Sequence, residues 1–222
     1  MSLSILPLEK ADVPTFVRVE LEAFRDHPRI PMMWPNGYTD DLYAFYERRK
    51  TEHLRESTAR VLKAVDDASG TIVAIAEWTF ALDPKETASH QQNNSDDPPP
   101  ADWPQGGNWG LRRFFKIEWE RWRQEVLADK PYILLDNLVV HPAYQRRGAG
   151  SKLLAWGCEE ADKHGVRICL ESTPAGLNVY PQFGFKEMKV INADMKQFGW
   201  QKPYDEEAAK RYWMIREPRP HS

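Results

Sequence analysis

The stretch "QRRGAG", Gln145 to Gly150, sets two arginines against two glycines directly ahead of a helix-like pattern. Backbone N–H groups at a helix start have no intrahelical acceptor, and the helix dipole adds positive potential there. Gly148 and Gly150 would let a ligand approach the backbone without a Cβ in the way. Arg146 and Arg147 supply charge and hydrogen-bond donors for phosphate oxygens. This chemistry suits a diphosphate cradle. It competes with the plainer reading of a sharp turn that needs glycine and leaves its arginines in water.

Two familiar phosphate motifs fail on spacing. A Walker loop ends in Gly-Lys-Ser/Thr, whereas here Ser151 precedes Lys152 and position 145 is Gln. A dinucleotide fingerprint needs a third glycine where Leu153 stands.

The elements around the turn are regular. "YILLDNLVV" ahead of it reads as a strand. "GSKLLAWGCEEADKHG" after it reads as a helix with Leu153, Leu154 and Ala161 on one side and Gly165 at its end. "VRICLEST" is a second strand, and a helix between two strands makes them parallel neighbours. "NVYPQFGF" reads as a short helix and "KEMKVINADM" as a final strand. In the first half, a strand near Ser4 to Leu8 precedes a helix that Asp12 could cap, with Phe16, Val17, Leu21 and Phe24 on one face. A second helix starts near Asp41. A hairpin follows, with Val61, Lys63 and Val65 alternating and Ile72 to Phe80 running back. From about residue 84 a run rich in Pro, Asn and Asp marks a long loop. Beyond it Leu111, Phe114, Phe115, Trp119, Trp122 and Val126 recur at helical spacing. That helix either packs on the core or walls a substrate pocket.

The bulk numbers bound the class. With 222 residues, 41% of them hydrophobic, a single domain with a sizeable core is expected. A net charge of −3 gives no basic surface for nucleic acid, and the slight acidic excess suits a cationic substrate better than an anionic one. Cys158 and Cys169 are too few for a disulfide scaffold or a thiolate metal site, so no metal is expected. The N-terminal apolar run is broken by Pro7, Glu9 and Lys10, and no run is long enough to span a bilayer. The expectation is a cytoplasmic protein, monomer or homodimer, with no membrane partner.

The order "LDNLVVHPAYQRRGAG", helix, strand, "NVYPQFGF" resembles the signature of the GNAT superfamily of acyl-CoA-dependent N-acyltransferases. Gln145, Arg146, Arg147, Gly148, Ala149 and Gly150 fit its loop. Tyr180, Gly184 and Phe185 fit its last motif. The resemblance implies an α/β fold with a mixed, twisted central sheet flanked by helices. Residues 1–222 would form one domain, with a loop-plus-helix insertion at about 84–131. It implies acetyl-CoA as co-substrate, with Leu138, Val139 and Val140 binding the pantetheine through main-chain atoms and residues 145–150, with Ser151, receiving the pyrophosphate. Many family members carry Asn ahead of the tyrosine motif. Thr173 stands there here, so that contact would fall to Thr173 or Asn178.

The implied reaction is direct attack of a primary amine, on a small molecule or a protein, on the thioester. Tyr180 matches the family's general acid; a phenol is protonated at neutral pH and can donate to a departing thiolate. Core packing is its alternative role. The base is expected among Asp136, Glu171 and Glu77. Asp136 is read as sharing a face with Leu138 by strand alternation, and Glu171 ends the next strand at the carboxyl edge. His141 and His27, each beside a proline, read as loop residues. A non-catalytic acyl-CoA-binding protein or a protein-interaction module with a Trp-rich contact helix are the alternatives.

Overall fold

A computed structural model describes residues 2–83, 98–127 and 130–220. Seven strands form one sheet in the order β1-β2-β3-β4-β5-β7-β6. They are β1 (Leu3–Pro7), β2 (Ala59–Asp66), β3 (Ile72–Ala81), β4 (Tyr132–Val140), β5 (Arg167–Ser172), β6 (Lys186–Ile191) and β7 (Arg211–Arg216). Among the described residues only β4 and β5 pair in parallel; every other pair is antiparallel. The expected mixed sheet and the β2–β3 hairpin are present. The expected final strand is not final. β7 follows it and inserts between β5 and β6, which puts β6 at the sheet edge.

Helices cover both faces. On one side α5 (Ala149–His164) buries Leu153, Leu154, Cys158 and Ala161 against Trp78, Phe80, Ile133 and Leu135. On the other, α1 (Val13–Phe24) sets Phe16, Val17 and Leu21 against Val61, Ile75 and Val139. The short α2 (Ile30–Met33), α3 (Asp40–His53) and α4 (Trp109–Leu127) share this second side; α6 (Glu206–Ala209) is the last helix among the described residues. Asp12 precedes α1, yet its carboxylate does not cap it. It accepts the Glu9 N–H and pairs with Lys63 instead.

Between β3 and β4 comes the expected helix, α4; residues 84–97, most of the expected loop, lie outside the described residues. Residues 98–108 are fastened down rather than forming a free excursion. Trp103 packs on Trp34, Phe45 and Trp109, Asp102 pairs with Arg48 and Arg49, and the Gln105 N–H donates to Asp41. The Trp-rich helix α4 packs on the sheet, where Leu111, Phe115, Trp122 and Leu127 are buried. Trp122 lies 5.2 Å from Trp213 of β7, ring to ring.

Candidate active site between two parting strands

The β4–β5 ladder runs from Tyr132–Arg167 to Leu135–Leu170 and stops, although both strands continue. The cause lies on the other edge of β4. Trp78 faces Leu135 while Glu77 faces Asn137, so Asp136 is an extra residue, a β-bulge. A bulge bends its strand and sharpens the local twist, which turns β4 away from β5. Residues 137–140 stay paired with β3. Their β5-facing N–H and C=O groups therefore border an opening with no sheet partner, which fits main-chain binding by Leu138, Val139 and Val140. The Leu138 and Val140 side chains pack on the α5 side and Val139 on the α1 side.

The bulge corrects one expectation. Asp136 does not share a face with Leu138. The Thr79 hydroxyl donates to Asp136 Oδ2 at 2.7 Å, and Thr79 lies on the sheet face opposite Trp78 and Phe80, away from α5. One inserted residue put Asp136 and Asn137 on the same face and reversed the alternation beyond them.

The glycine turn lies where β4 ends. The first bond of α5 is Lys152 N–H to Gly148 C=O, so the amides of Ala149, Gly150 and Ser151 are the unpaired first turn. Gly148 has φ 86°, a left-handed conformation that a side chain disfavours. A Cβ on Gly150 would stand 3.2 Å from Val140 Cγ2, a tight contact, so glycine lets the helix start close on β4 without displacing that side chain. Arg146 is the one described non-glycine residue with positive φ, at 59°. Arg146 and Arg147 are exposed, and the Arg147 guanidinium lies 5.3 Å from the Tyr144 ring centre. Gln145 is exposed too, its side-chain amide 3.5 Å from the Val140 carbonyl. These residues form a donor-rich concavity beside the opened edge of β4, and they fit a diphosphate attached to a chain lying along that edge.

On the β5 side, Thr173 follows the last strand residue, and its carbonyl accepts from Ser172 Oγ at 2.7 Å. Asn178 is exposed, and its carbonyl accepts from the Gln182 side chain. Tyr180 opens a 3-10 turn (Tyr180–Phe183) and packs edge to face on Phe185, against the α5-side core. Burial alone pushes its hydroxyl up to about 12.

The carboxylates gather on the opposite face. Asp136 and Glu171 are the first residues past the Leu135–Leu170 pair on neighbouring strands. Asp136 is open to water along the cleft yet crowded by protein. That crowding, with the negative charge of Glu77, pushes its carboxyl up to about 6, against the pull of the Thr79 hydrogen bond. Glu171 is engaged on both oxygens, by Arg211 Nη1 at 3.1 Å and Trp213 Nε1 at 3.1 Å. Glu77 is buried, 2.6 Å from Lys50 Nζ of α3, which also lies 3.0 Å from Glu20 of α1. Burial pushes Glu20 up, and Lys50 opposes that. Burial also disfavours the Lys50 ammonium, but Glu20 and Glu77 outweigh it and raise the pKa.

Lys50, Glu20 and Thr79 went unseen in the sequence. Each belongs to a different element, and no spacing pattern links them. His141 behaves as a loop residue, its Nδ1 accepting the Ala143 N–H, and His27 accepts the Arg29 N–H. Among the described residues, no group of His, Cys, Asp and Glu is placed to hold a metal ion, and no helix is long and apolar enough to cross a membrane.

Comparison with known proteins identifies the family and the fold. The family model described as "Acetyltransferase (GNAT) domain" covers residues 114–187. An acetyltransferase from Stachybotrys chartarum is 25% identical over 181 residues, 79% of this chain and 76% of its own. The probable acyltransferase SID5 of Ajellomyces capsulatus is 34% identical over 101 residues, 44% of this chain and 68% of that protein. The crystal structure of arylalkylamine N-acetyltransferase 2 from Aedes aegypti aligns over 98% of this chain and 99% of its own with a TM-score of 0.66; at 13% identity the likeness is one of fold. Relatives and fold together place the chain in the GNAT acetyltransferase family, and it is an acyltransferase.

Proposed function

We propose that the chain transfers the acetyl group of acetyl-CoA to a primary amine, by direct attack within a ternary complex. The observation that carries this reading is the end of the β4–β5 ladder at Leu135–Leu170. It opens the sheet between the α5 amide cradle and the carboxylates of the opposite face. Acetyl-CoA would supply the activated thioester. The amides of residues 149–151, with Arg146 and Arg147, would hold its diphosphate, and the open edge of β4 would hold its pantetheine amides. Thr173 and Asn178, at the far side of the opening, would line the same arm.

The acceptor would enter from the face carrying Asp136. An alkylammonium must lose a proton before it can attack. Asp136 takes that proton in this reading: Thr79 holds one oxygen, and the raised carboxyl pKa brings its basicity closer to neutral. Glu171 is a weaker choice, because Arg211 and Trp213 occupy both its oxygens. Glu77, tied to Lys50, is weaker still. Tyr180, on the α5 side, gives its proton to the departing sulfur, and a phenol raised by burial stays protonated until strongly alkaline pH. Acid and base thus approach the reaction from opposite faces of the sheet. The seven strands form one sheet, so we read residues 1–222 as one catalytic domain with an insertion at about 84–131. The Aedes aegypti protein of the same fold is named for arylalkylamine acetylation, which supports an amine acceptor.

The test is release of CoA thiol from acetyl-CoA, followed with a panel of amines. Amine-dependent release with formation of the N-acetyl product is expected. Tight acetyl-CoA binding with no amine-dependent release would instead mark a non-catalytic acyl-CoA-binding protein.

A further inference from the structure

Beside Glu171 lies a cationic cluster that acetyl transfer itself does not require. Arg29, at the start of α2, is only 5% exposed. Its guanidinium stacks 4.6 Å above the Phe115 ring of α4, and its Nε has no acceptor. No carboxylate lies within ion-pairing distance of Arg29 among the described residues. Glu171, the acidic group near enough to act on it, is committed to Arg211 and Trp213. Arg211 Nε is likewise buried and unpaired. Arg112 of α4 adds further positive field at Arg29. A ring face offsets part of a buried charge but accepts no N–H in the plane of the guanidinium. A buried, under-paired guanidinium is costly to a fold, and a bidentate anion is the group its fork matches.

The two ends of the cleft are oppositely charged. Around Asp136, Glu77 adds its negative charge and shares the ammonium of Lys50 with Glu20. Around Glu171, Arg211 pairs with the carboxylate while the Arg29 guanidinium lies close enough to feel its charge without pairing to it. Asp136 and Glu171 are each one residue past the Leu135–Leu170 pair, the last before the strands part, and paired strands stand about 5 Å apart. The poles are therefore within the span of a small molecule.

We infer that the acceptor is an amine that also bears a carboxylate, its ammonium end drawn to Asp136 and its carboxylate held by Arg29 with Arg211. This rests on the acetyl-transfer reading and narrows its acceptor from amines in general to amino acids in the broad sense.

Binding and turnover separate the two ideas. The probes are δ-aminovalerate and ε-aminocaproate, each against its primary amide, so that only the charge at the far end changes. Calorimetry on the CoA-loaded protein should show the acids binding at least about tenfold more tightly than the amides. Arg29→Met should equalise acid and amide, and Arg29→Lys should keep part of the preference. Ligand-free Arg29→Met should melt no lower than wild type, because the charge removed had no ion-pair partner. Equal affinity for acid and amide, no measurable binding of either, a preference that survives Arg29→Met, or a large loss of ligand-free stability in that variant would each overturn the inference. A clear acid preference without CoA release from acetyl-CoA would leave the carboxylate site standing and remove acetyl transfer.

Discussion

Thr79 donates its hydroxyl to Asp136 across the bulge that parts β4 from β5. The same extra residue that opens the sheet therefore turns a carboxylate onto the face away from α5, and the neighbouring strand holds it there. Its raised pKa has a consequence for stability. Between 3.8 and about 6 the native state binds more protons at Asp136 than the unfolded chain does. Stability contributed by this group therefore falls as pH rises through that window. Asp136→Asn, which can still accept from Thr79, should lose that component of the pH dependence and be at least as stable as wild type at neutral pH. Denaturant titrations across the window check this, and a less stable Asp136→Asn at neutral pH would contradict it.

The buried Glu20–Lys50–Glu77 group predicts a second change. Lys50→Met leaves two buried carboxylates without their cation, a loss of about 3–5 kcal/mol in unfolding free energy. It also removes a positive charge that lowers the Asp136 pKa, so any acid limb of the rate should move to higher pH. A variant with unchanged stability and an unmoved limb would show that Lys50 does neither.

Gly150→Val tests the cradle. The added Cβ would press on Val140, and the β-branch would stand over the α5 amides. Acetyl-CoA affinity should fall by at least about tenfold, ~1.4 kcal/mol, with the fold retained by circular dichroism. Unchanged affinity in calorimetry would remove this loop from the diphosphate site.

Much of the cradle is legible from residue types, because a phosphate turn has local requirements. Gly148 answers to a positive φ and Gly150 to a close approach, and both lie within one short run. Tyr180 is legible by its place in a motif. The bulge is not, because no glycine or proline marks Asp136, and strand alternation read without the extra residue puts it on the wrong face. The Lys50 cluster and Arg29 are not legible either. On a helix rich in Arg, Lys and Glu nothing sets Lys50 apart until α1, α3 and β3 converge on it. β7 was missed because its short apolar run, Tyr212 to Ile215, is closed by an arginine at each end.

Tyr180→Phe keeps the ring against Phe185 and removes the proton. The single-turnover rate should fall ~10²–10⁴-fold while the acetyl-CoA dissociation constant changes little. Equal rates would make Tyr180 a packing residue, and a loss confined to affinity would make it a cofactor contact.

The most direct test of acetyl transfer at the parted strands is the pH dependence of kcat/KM for CoA release, measured for wild type beside Asp136→Asn. A base acts only when deprotonated, so a carboxyl raised to about 6 predicts a wild-type rate that falls as pH drops through that value. In Asp136→Asn the rate at neutral pH should drop by ~10²–10⁴-fold and that limb should disappear. A variant with the wild-type rate and the same acid limb would contradict the account.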